Sequence, residues 1–385
     1  MRIAFLTTIV PNTLRTGSEI ASRALLSVLE ELGHEVTLYG YARSPFRVTP
    51  PVANTILLAT IPIETALAPK ADKLAWAMRS LRSGIPISSE KYNYIAPETL
   101  AAEIRRGKPD FLILEHVNLF PFVEALTKEL PTGIIFQDLQ AHSYAMVAER
   151  ETRPWWRAVY AREARLNAEL ESRAAAGARF AWFYAQADVD RARDELGITG
   201  AEVLPLYFPL PESASSPEAL PAEPLYDVAL IGTWTWPPVQ QSMRWFLDEI
   251  VPKLPADMRI AVAGTGSLDL PGERLIRLGL VPDAAAFLAS AKVSAVPTIA
   301  GTGIQMKTLE LAATGTPAVA TPLGVRGIDE VPANVVVAET PEDFARALVA
   351  AVQAPRPHDR TGGRAWNLAR REAAIAMVRR AFAAL

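Results

Sequence analysis

The sequence predicts an α/β protein made of two parallel-sheet halves, and three observations predict it. Short apolar runs alternate with stretches of helical period on both sides of a proline-rich segment. With 385 residues, the chain exceeds what one hydrophobic core usually organises. Polar residues follow directly on several apolar runs, as they do at the carboxyl ends of strands in open parallel sheets.

The first element is the apolar run at residues 3–7, read as a buried strand. A polar loop follows, and residues 19–32 then carry Ile20, Leu25, Leu26, Val28, Leu29 and Leu32 at helical spacing. Gly33 stops that helix, and residues 36–39 form the next strand, which completes a βαβ unit. The order of parts is Rossmann-like, but no GxGxxG fingerprint is present. Residues 44–100 resist reading because prolines at 45, 50, 51, 62 and 69 interrupt the pattern. Within them, residues 70–82 are amphipathic, with Leu74, Trp76, Met78 and Leu81 among Lys70, Lys73, Arg79 and Arg82. This reads as a surface helix with one face on the core, or as an interfacial helix that touches anionic lipid.

Residues 111–114 are a strand leading to Glu115 and His116, and residues 134–136 a strand leading to Gln137 and Asp138. Residues 141–175 read as one long helix. Residues 204–224 hold Pro205, Pro209, Pro211, Pro217, Pro221 and Pro224 among Ser, Glu and Ala, the composition of a linker. The pattern then restarts, with strands at 228–231, 260–263, 293–296, 318–320 and 335–337. Helices are expected at 243–250, at 284–290 with Asp283 as N-cap, at 341–352, and at 366–385. The expected domains are 1–205 together with 366–385, and 206–365.

Bulk composition narrows the function. Half of the residues are hydrophobic and 21% are charged, as in a soluble globular protein. The net charge of -3 argues against bulk nucleic-acid binding. With no cysteine, there is no disulfide, thiolate nucleophile or thiolate metal site. The four histidines show no paired spacing, so no metal is expected. The amino-terminal run lacks a basic flank and a cleavage site, and no run is long enough to span a bilayer. Cytoplasmic residence follows as the default, with contact at the inner face of the membrane left open.

The most informative stretch is residues 301–321, GTGIQMKTLELAATGTPAVAT. It reads as a glycine-rich loop, a helix start, a turn and a buried strand. A bare backbone loop at a helix N-terminus is a ready anion site. Lys307 and Glu310 are three residues apart and share a helix face. The cation suits a phosphate and the carboxylate a sugar hydroxyl, a pairing that fits a nucleotide-sugar.

This stretch resembles the donor-site signature of the retaining family-4 glycosyltransferases, which have the GT-B architecture. The Gly232–Thr–Trp–Thr–Trp–Pro–Pro run and Trp245–Phe246–Leu247 before Pro252 resemble the opening of that family's C-terminal domain. The match is specific over about 226–330 and diffuse before it. It implies two Rossmann-like domains facing a cleft, with the C-terminal helix crossing back to the N-terminal domain. It implies a retaining, metal-independent transfer from a nucleoside-diphosphate sugar, the co-substrate, to the hydroxyl of a glycan, lipid-linked or small-molecule acceptor, with no further cofactor. Polysaccharide assembly is the setting it suggests.

By position, the resemblance places Gly303 and Ile304 near the distal phosphate or sugar, Lys307 on the diphosphate, and Glu310 on the ribose. Gly17 lets the first loop come close to the diphosphate, and Val281 sits at the nucleobase. The chain departs from the family pattern in two places. Thr302 stands where a glutamate is usual, and Thr233, Trp234 and Trp236 fill a region that usually carries Arg and Lys. His142, Glu115 and Asp138 are the candidates for catalysis. Each also has a structural reading, as a helix cap or strand-end group, and the two tryptophans read either as stacking platforms or as core. The alternatives are a nucleotide-sugar epimerase on the same scaffold and a binding protein that has lost turnover.

Overall fold

Alternation of large and small apolar residues decides how the strands are covered. In the second half of the chain, Val228, Leu230, Val262, Val293 and Val319 share one apolar cluster with Phe246, Phe344 and Leu348. Ala229, Ala261, Ala263, Ala318 and Ala320 lie in another, with Phe287, Leu288, Leu311 and Ala312. Successive side chains point to opposite sheet faces, so one face is filled by bulky residues. The other is floored by alanines, which lets helices approach closely. Each bulky side chain so buried contributes about 1.5–3 kcal/mol.

The computed structural model describes residues 1–12, 16–44, 54–62, 65, 68–210, 223–235, 237–355 and 360–385. It divides into two units, Met1–Leu206 with Glu372–Leu385, and Tyr207–Arg371. Most of the expected proline-rich linker, residues 211–222, lies outside the described residues, as do residues 45–53.

Unit 1 runs β1 (Arg2–Thr7), α1 (Gly17–Glu31), β2 (Glu35–Arg43), β3 (Thr55–Ile61), α2 (Lys70–Ser83), α3 (Ile87–Glu90), α4 (Pro97–Arg106) and β4 (Phe111–Glu115). It continues with α5 (Phe120–Thr127), β5 (Thr132–Phe136), α6 (Gln140–Arg150), α7 (Pro154–Ala176), β6 (Phe180–Phe183), α8 (Gln186–Leu196) and β7 (Ala201–Val203). Its strand order is β3-β2-β1-β4-β5-β6-β7. Unit 2 holds β8 (Tyr226–Ile231), α9 (Pro237–Trp245), β9 (Ile260–Ala263), β10 (Leu275–Gly279), α10 (Ala284–Ala289), β11 (Ala291–Val296), α11 (Met306–Thr314), β12 (Ala318–Ala320), β13 (Val335–Val337), α12 (Pro341–Gln353) and the start of α13 (Thr361–Ala383). Its order is β10-β9-β8-β11-β12-β13. Every strand pair is parallel. Both sheets are therefore doubly wound, the α/β class that the apolar pattern predicts.

Several elements depart from the sequence reading. The expected single helix at 141–175 is two, α6 and α7, broken at Glu151–Arg153. Pro154 causes the break: it disfavours helical geometry in the residue before it, and Arg153 has φ -82° and ψ 115°. Strand β3 lies in the proline-interrupted region. β10 was missed because Arg277 interrupts its short apolar run. The terminal helix starts at Thr361 and stays with unit 2 through Arg371. Asn367 there clasps Phe208, accepting from its N–H at 2.8 Å and donating to its carbonyl at 2.9 Å. From Glu372 onward the helix belongs to unit 1, where Phe382 packs on Phe111 with ring centroids 5.1 Å apart. No helix among the described residues is long and apolar enough to cross a membrane.

Candidate functional site

Doubly wound sheets bind ligands beyond the carboxyl ends of their strands, where the strand order reverses. Here those points lie between β1 and β4 in unit 1 and between β8 and β11 in unit 2. Both gather polar groups.

In unit 2, the loop after β8 and the helix after β11 meet through two side chains. The Lys307 ammonium lies over the Trp234 ring, 5.8 Å from its centroid. Trp234 is buried, and its Nε1–H donates to the Ala263 carbonyl at 2.8 Å. Lys307 is the second residue of α11, whose N-cap, Gln305, makes no side-chain bond to the helix amides. The free N–H groups of a first turn favour an anion. Ahead of them, Gly301 and Gly303 adopt φ 127° and 70°, values that side chains resist. The loop is held at both ends: Ile299 N–H donates to Ser242 Oγ at 3.1 Å, and Gln305 N–H to the Arg326 carbonyl at 3.2 Å.

The electrostatics of α11 are coupled. Burial lowers the Lys307 ammonium to about 8, against a smaller opposing pull from Glu310. Burial raises the Glu310 carboxyl to about 7; Asp283 adds to the rise and Lys307 opposes it. Both side chains keep some exposed surface, so both are reachable by a ligand. Thr302 and Ile304 are half-buried beside the buried Gly303, Thr233 is exposed, and Val281 packs at the edge of the alanine-floored cluster. Trp236 lies outside the described residues.

In unit 1, Glu115 ends β4 fully buried rather than open as a catalytic carboxylate. Gln137 Nε2–H donates to Glu115 Oε1 at 3.0 Å, and Ser22 Oγ makes a short bond with Glu115 Oε2. Ser18 Oγ–H donates to Gln137 Oε1 at 2.7 Å and lies 3.3 Å from His116 Nε2. Burial raises the Glu115 carboxyl to about 7, although its hydrogen bonds pull the other way. A protonated Glu115 can donate to Ser22 Oγ, which frees the single Ser22 proton for the Ser18 carbonyl, 2.9 Å away. His116 has φ 75°, a costly conformation for a side-chain-bearing residue. Burial lowers its imidazole to about 3, so the ring is neutral and Nε2 is free to accept or donate according to tautomer.

Gly17 is the first residue of α1, not a loop residue. The Thr16 cap and Glu19 close a capping box in front of it, and Glu19 also pairs with Arg43 at 3.3 Å. Asp138 accepts from Gln140 Nε2 at 2.6 Å, and His142 is the third residue of α6. The structure thus brings together Glu115, His116, Gln137, Ser18 and Ser22. Ser22 was missed, although its spacing of four from Ser18 on a helix puts both on one face.

Glu115→Gln tests the protonated state. Glutamine reproduces the neutral acid: its amide donates to Ser22 and its carbonyl accepts from Gln137. In wild type, a carboxyl that titrates near 7 folded and lower unfolded stabilises fully below the unfolded value, and that stability is lost as pH rises through about 7. The melting temperature of Glu115→Gln is therefore expected to gain on wild type progressively from pH 4.5 to 7.5. A difference that stays constant with pH would refute the assignment.

The comparisons bear on the fold and on unit 2. Residues 226–354 match the family model described as glycosyl transferases group 1. Sucrose-phosphate synthase from Thermosynechococcus elongatus superposes with a TM-score of 0.62 at 14% identity, over 100% of both chains. Anabaena HepE in complex with UDP and glucose gives 0.65 at 13% identity, again over 100% of both. An E. coli trehalose-6-phosphate protein bound with UDP-2-fluoro glucose gives 0.62 at 10% identity, over 99% of both. No curated relative matches the chain in sequence. Residues 226–354, the greater part of unit 2, are a glycosyl transferases group 1 domain, set in a chain that has the GT-B fold.

Proposed function

We propose that the chain moves a sugar from a nucleoside-diphosphate donor to an acceptor hydroxyl, with retention of configuration and without a metal ion. The carrying observation is Lys307, placed on the uncapped first turn of α11 at the strand-order reversal of unit 2. Lys307 and the α11 amides neutralise the diphosphate, the part a divalent cation takes in other phosphate sites. Glu310, one turn further along, takes the ribose hydroxyls. Gly303 and Ile304 face the distal phosphate or sugar, and Val281 the base. HepE was solved with UDP and glucose, the two parts of such a donor, and the E. coli protein with UDP-2-fluoro glucose, a nucleoside-diphosphate sugar. On the acceptor side, Ser18, His116 and Gln137 offer a neutral set of hydrogen-bonding groups to a hydroxyl.

A thermal-shift screen with UDP, GDP, ADP, TDP and CMP tests the reading, since a ligand that binds only the folded state raises the melting temperature. One nucleoside diphosphate is expected to stand out, and its sugar conjugate to be consumed only with an acceptor present. An epimerised sugar formed without acceptor would overturn the transfer. A uniform lack of shift would overturn the donor site.

The acceptor's setting rests on α2. Leu74 and Leu81, 65% and 67% exposed, and Met78 line its outer face, with Lys70 and Arg82 beside them. This face suits peripheral contact with an anionic bilayer. Flotation with phosphatidylglycerol vesicles is expected for wild type and lost in Leu74→Glu/Leu81→Glu. Equal flotation of both proteins would remove the membrane from the proposal.

A further inference from the structure

Trp234 has two readings at a nucleotide-binding end of a sheet: a platform for a base or sugar, or a part of the core. The geometry points to a third. We infer that Trp234 is a positioning residue for Lys307, an aromatic floor that holds the ammonium over the strand-order reversal where it meets phosphate. The inference rests on the proposed donor site and adds a residue to it.

The indole is fixed from three sides. Its N–H is tied to the Ala263 carbonyl, so rotation about the side chain would break a buried hydrogen bond. The Trp234 backbone N–H donates to the Thr265 carbonyl at 2.8 Å. Beneath the ring lies Gly232, where even a methyl group would stand 3.0 Å from Cε2 and Cζ2. Lys307 lies over the ring, with its Nζ 5.8 Å from the centroid. A cation within about 6 Å of an indole centroid is attracted by the ring quadrupole, more strongly where water is scarce.

Without this floor, a lysine with four rotatable bonds would search many positions. The charged group acting on Lys307 among the described residues is Glu310 of its own helix, with Asp283 acting in turn on Glu310. The tryptophan supplies attraction without a second charge, so the anion meets an ammonium that is not already neutralised.

The experiment uses three measurements on the full chain. In the ligand-free protein, the ε-methylene protons of Lys307, assigned by their loss in Lys307→Met, are expected well upfield of ordinary lysines through the indole ring current. Titrations with UDP and with inorganic pyrophosphate then compare wild type, Trp234→Phe and Trp234→Leu. Trp234→Leu is expected to weaken both ligands by a similar factor, about fivefold, the loss of one cation–π contact. Trp234→Phe, which keeps a ring, is expected to stay within about twofold of wild type. Weakening of UDP alone would make Trp234 a base platform and overturn the inference. Lys307 resonances at ordinary lysine positions in wild type would overturn it too, and that readout needs no variant to fold. If the ring-current shift is present but neither ligand binds, the donor-site reading fails while the Trp234–Lys307 pairing stands.

Discussion

Replacing Lys307 by alanine is expected to weaken nucleoside-diphosphate binding by about 100-fold, read by titration calorimetry. A hydrogen bond to a charged group is worth about 1.5–3 kcal/mol. Lys307 sits where water is scarce and beside free helix amides, so its loss falls toward the upper end. Trp76→Ala is the control. Trp76 is a buried residue of α2 in unit 1 and takes no part in the unit 2 site, so nucleotide affinity should not change. Equal affinity in wild type and Lys307→Ala would sink the site. The pH dependence follows with a definite sign. In the free protein the ammonium titrates at about 8, below an ordinary lysine. Affinity should therefore fall as pH rises through about 8, because binding must then first protonate the lysine. The alanine variant should show no such fall. An equally steep decline in both would place the titrating group elsewhere.

Much of this site was legible in the sequence, and the reason is local. A glycine pair, a lysine and a following apolar turn are all within one strand–loop–helix segment, so chain order reports spatial order. The contact of Lys307 with Trp234 was not legible, because the residues are far apart in the chain and meet only when β8 pairs with β11. In the same way Glu115 reads as an open strand-end carboxylate, since nothing in its own neighbourhood announces that Ser22 and Gln137 enclose it. The break between α6 and α7 is legible in Pro154, which disfavours helical geometry in the residue before it. β10 and β3 hide for other reasons: Arg277 splits the short apolar run of β10, and the apolar run of β3 at residues 56–59 lies in the proline-interrupted region.

Gly264→Ala is expected to produce the largest loss of stability of any single methyl addition in unit 2. Gly264 follows β9 with φ 107°, a conformation that disfavours any side chain. A Cβ there would lie 2.0 Å from the Gly232 carbonyl oxygen. The obstacle is backbone, so no rotamer change can relieve it. Moving Gly232 away would strain its N–H bond to the Ala263 carbonyl, at 3.1 Å, and lift the Trp234 floor two residues later. Moving Gly264 instead would break its N–H bond to the Gly279 carbonyl, at 2.7 Å, and unpair the end of β10. Either route combines backbone strain with lost buried hydrogen bonds, together about 3 kcal/mol or more. For a unit of this size that corresponds to a fall of about 6–12 °C in its melting temperature. Gly177→Ala is the matched control, because nothing lies within 4 Å of a Cβ there and its φ is -98°. It should stay within about 0.5 kcal/mol of wild type. Calorimetry should show the loss in the unit 2 transition, and UDP affinity should fall with it, because the strained segment carries Trp234. A Gly264→Ala protein that melts with wild type would mean that the loops after β8 and β9 do not pack as described, and the placement of Trp234 beneath Lys307 would fall with them.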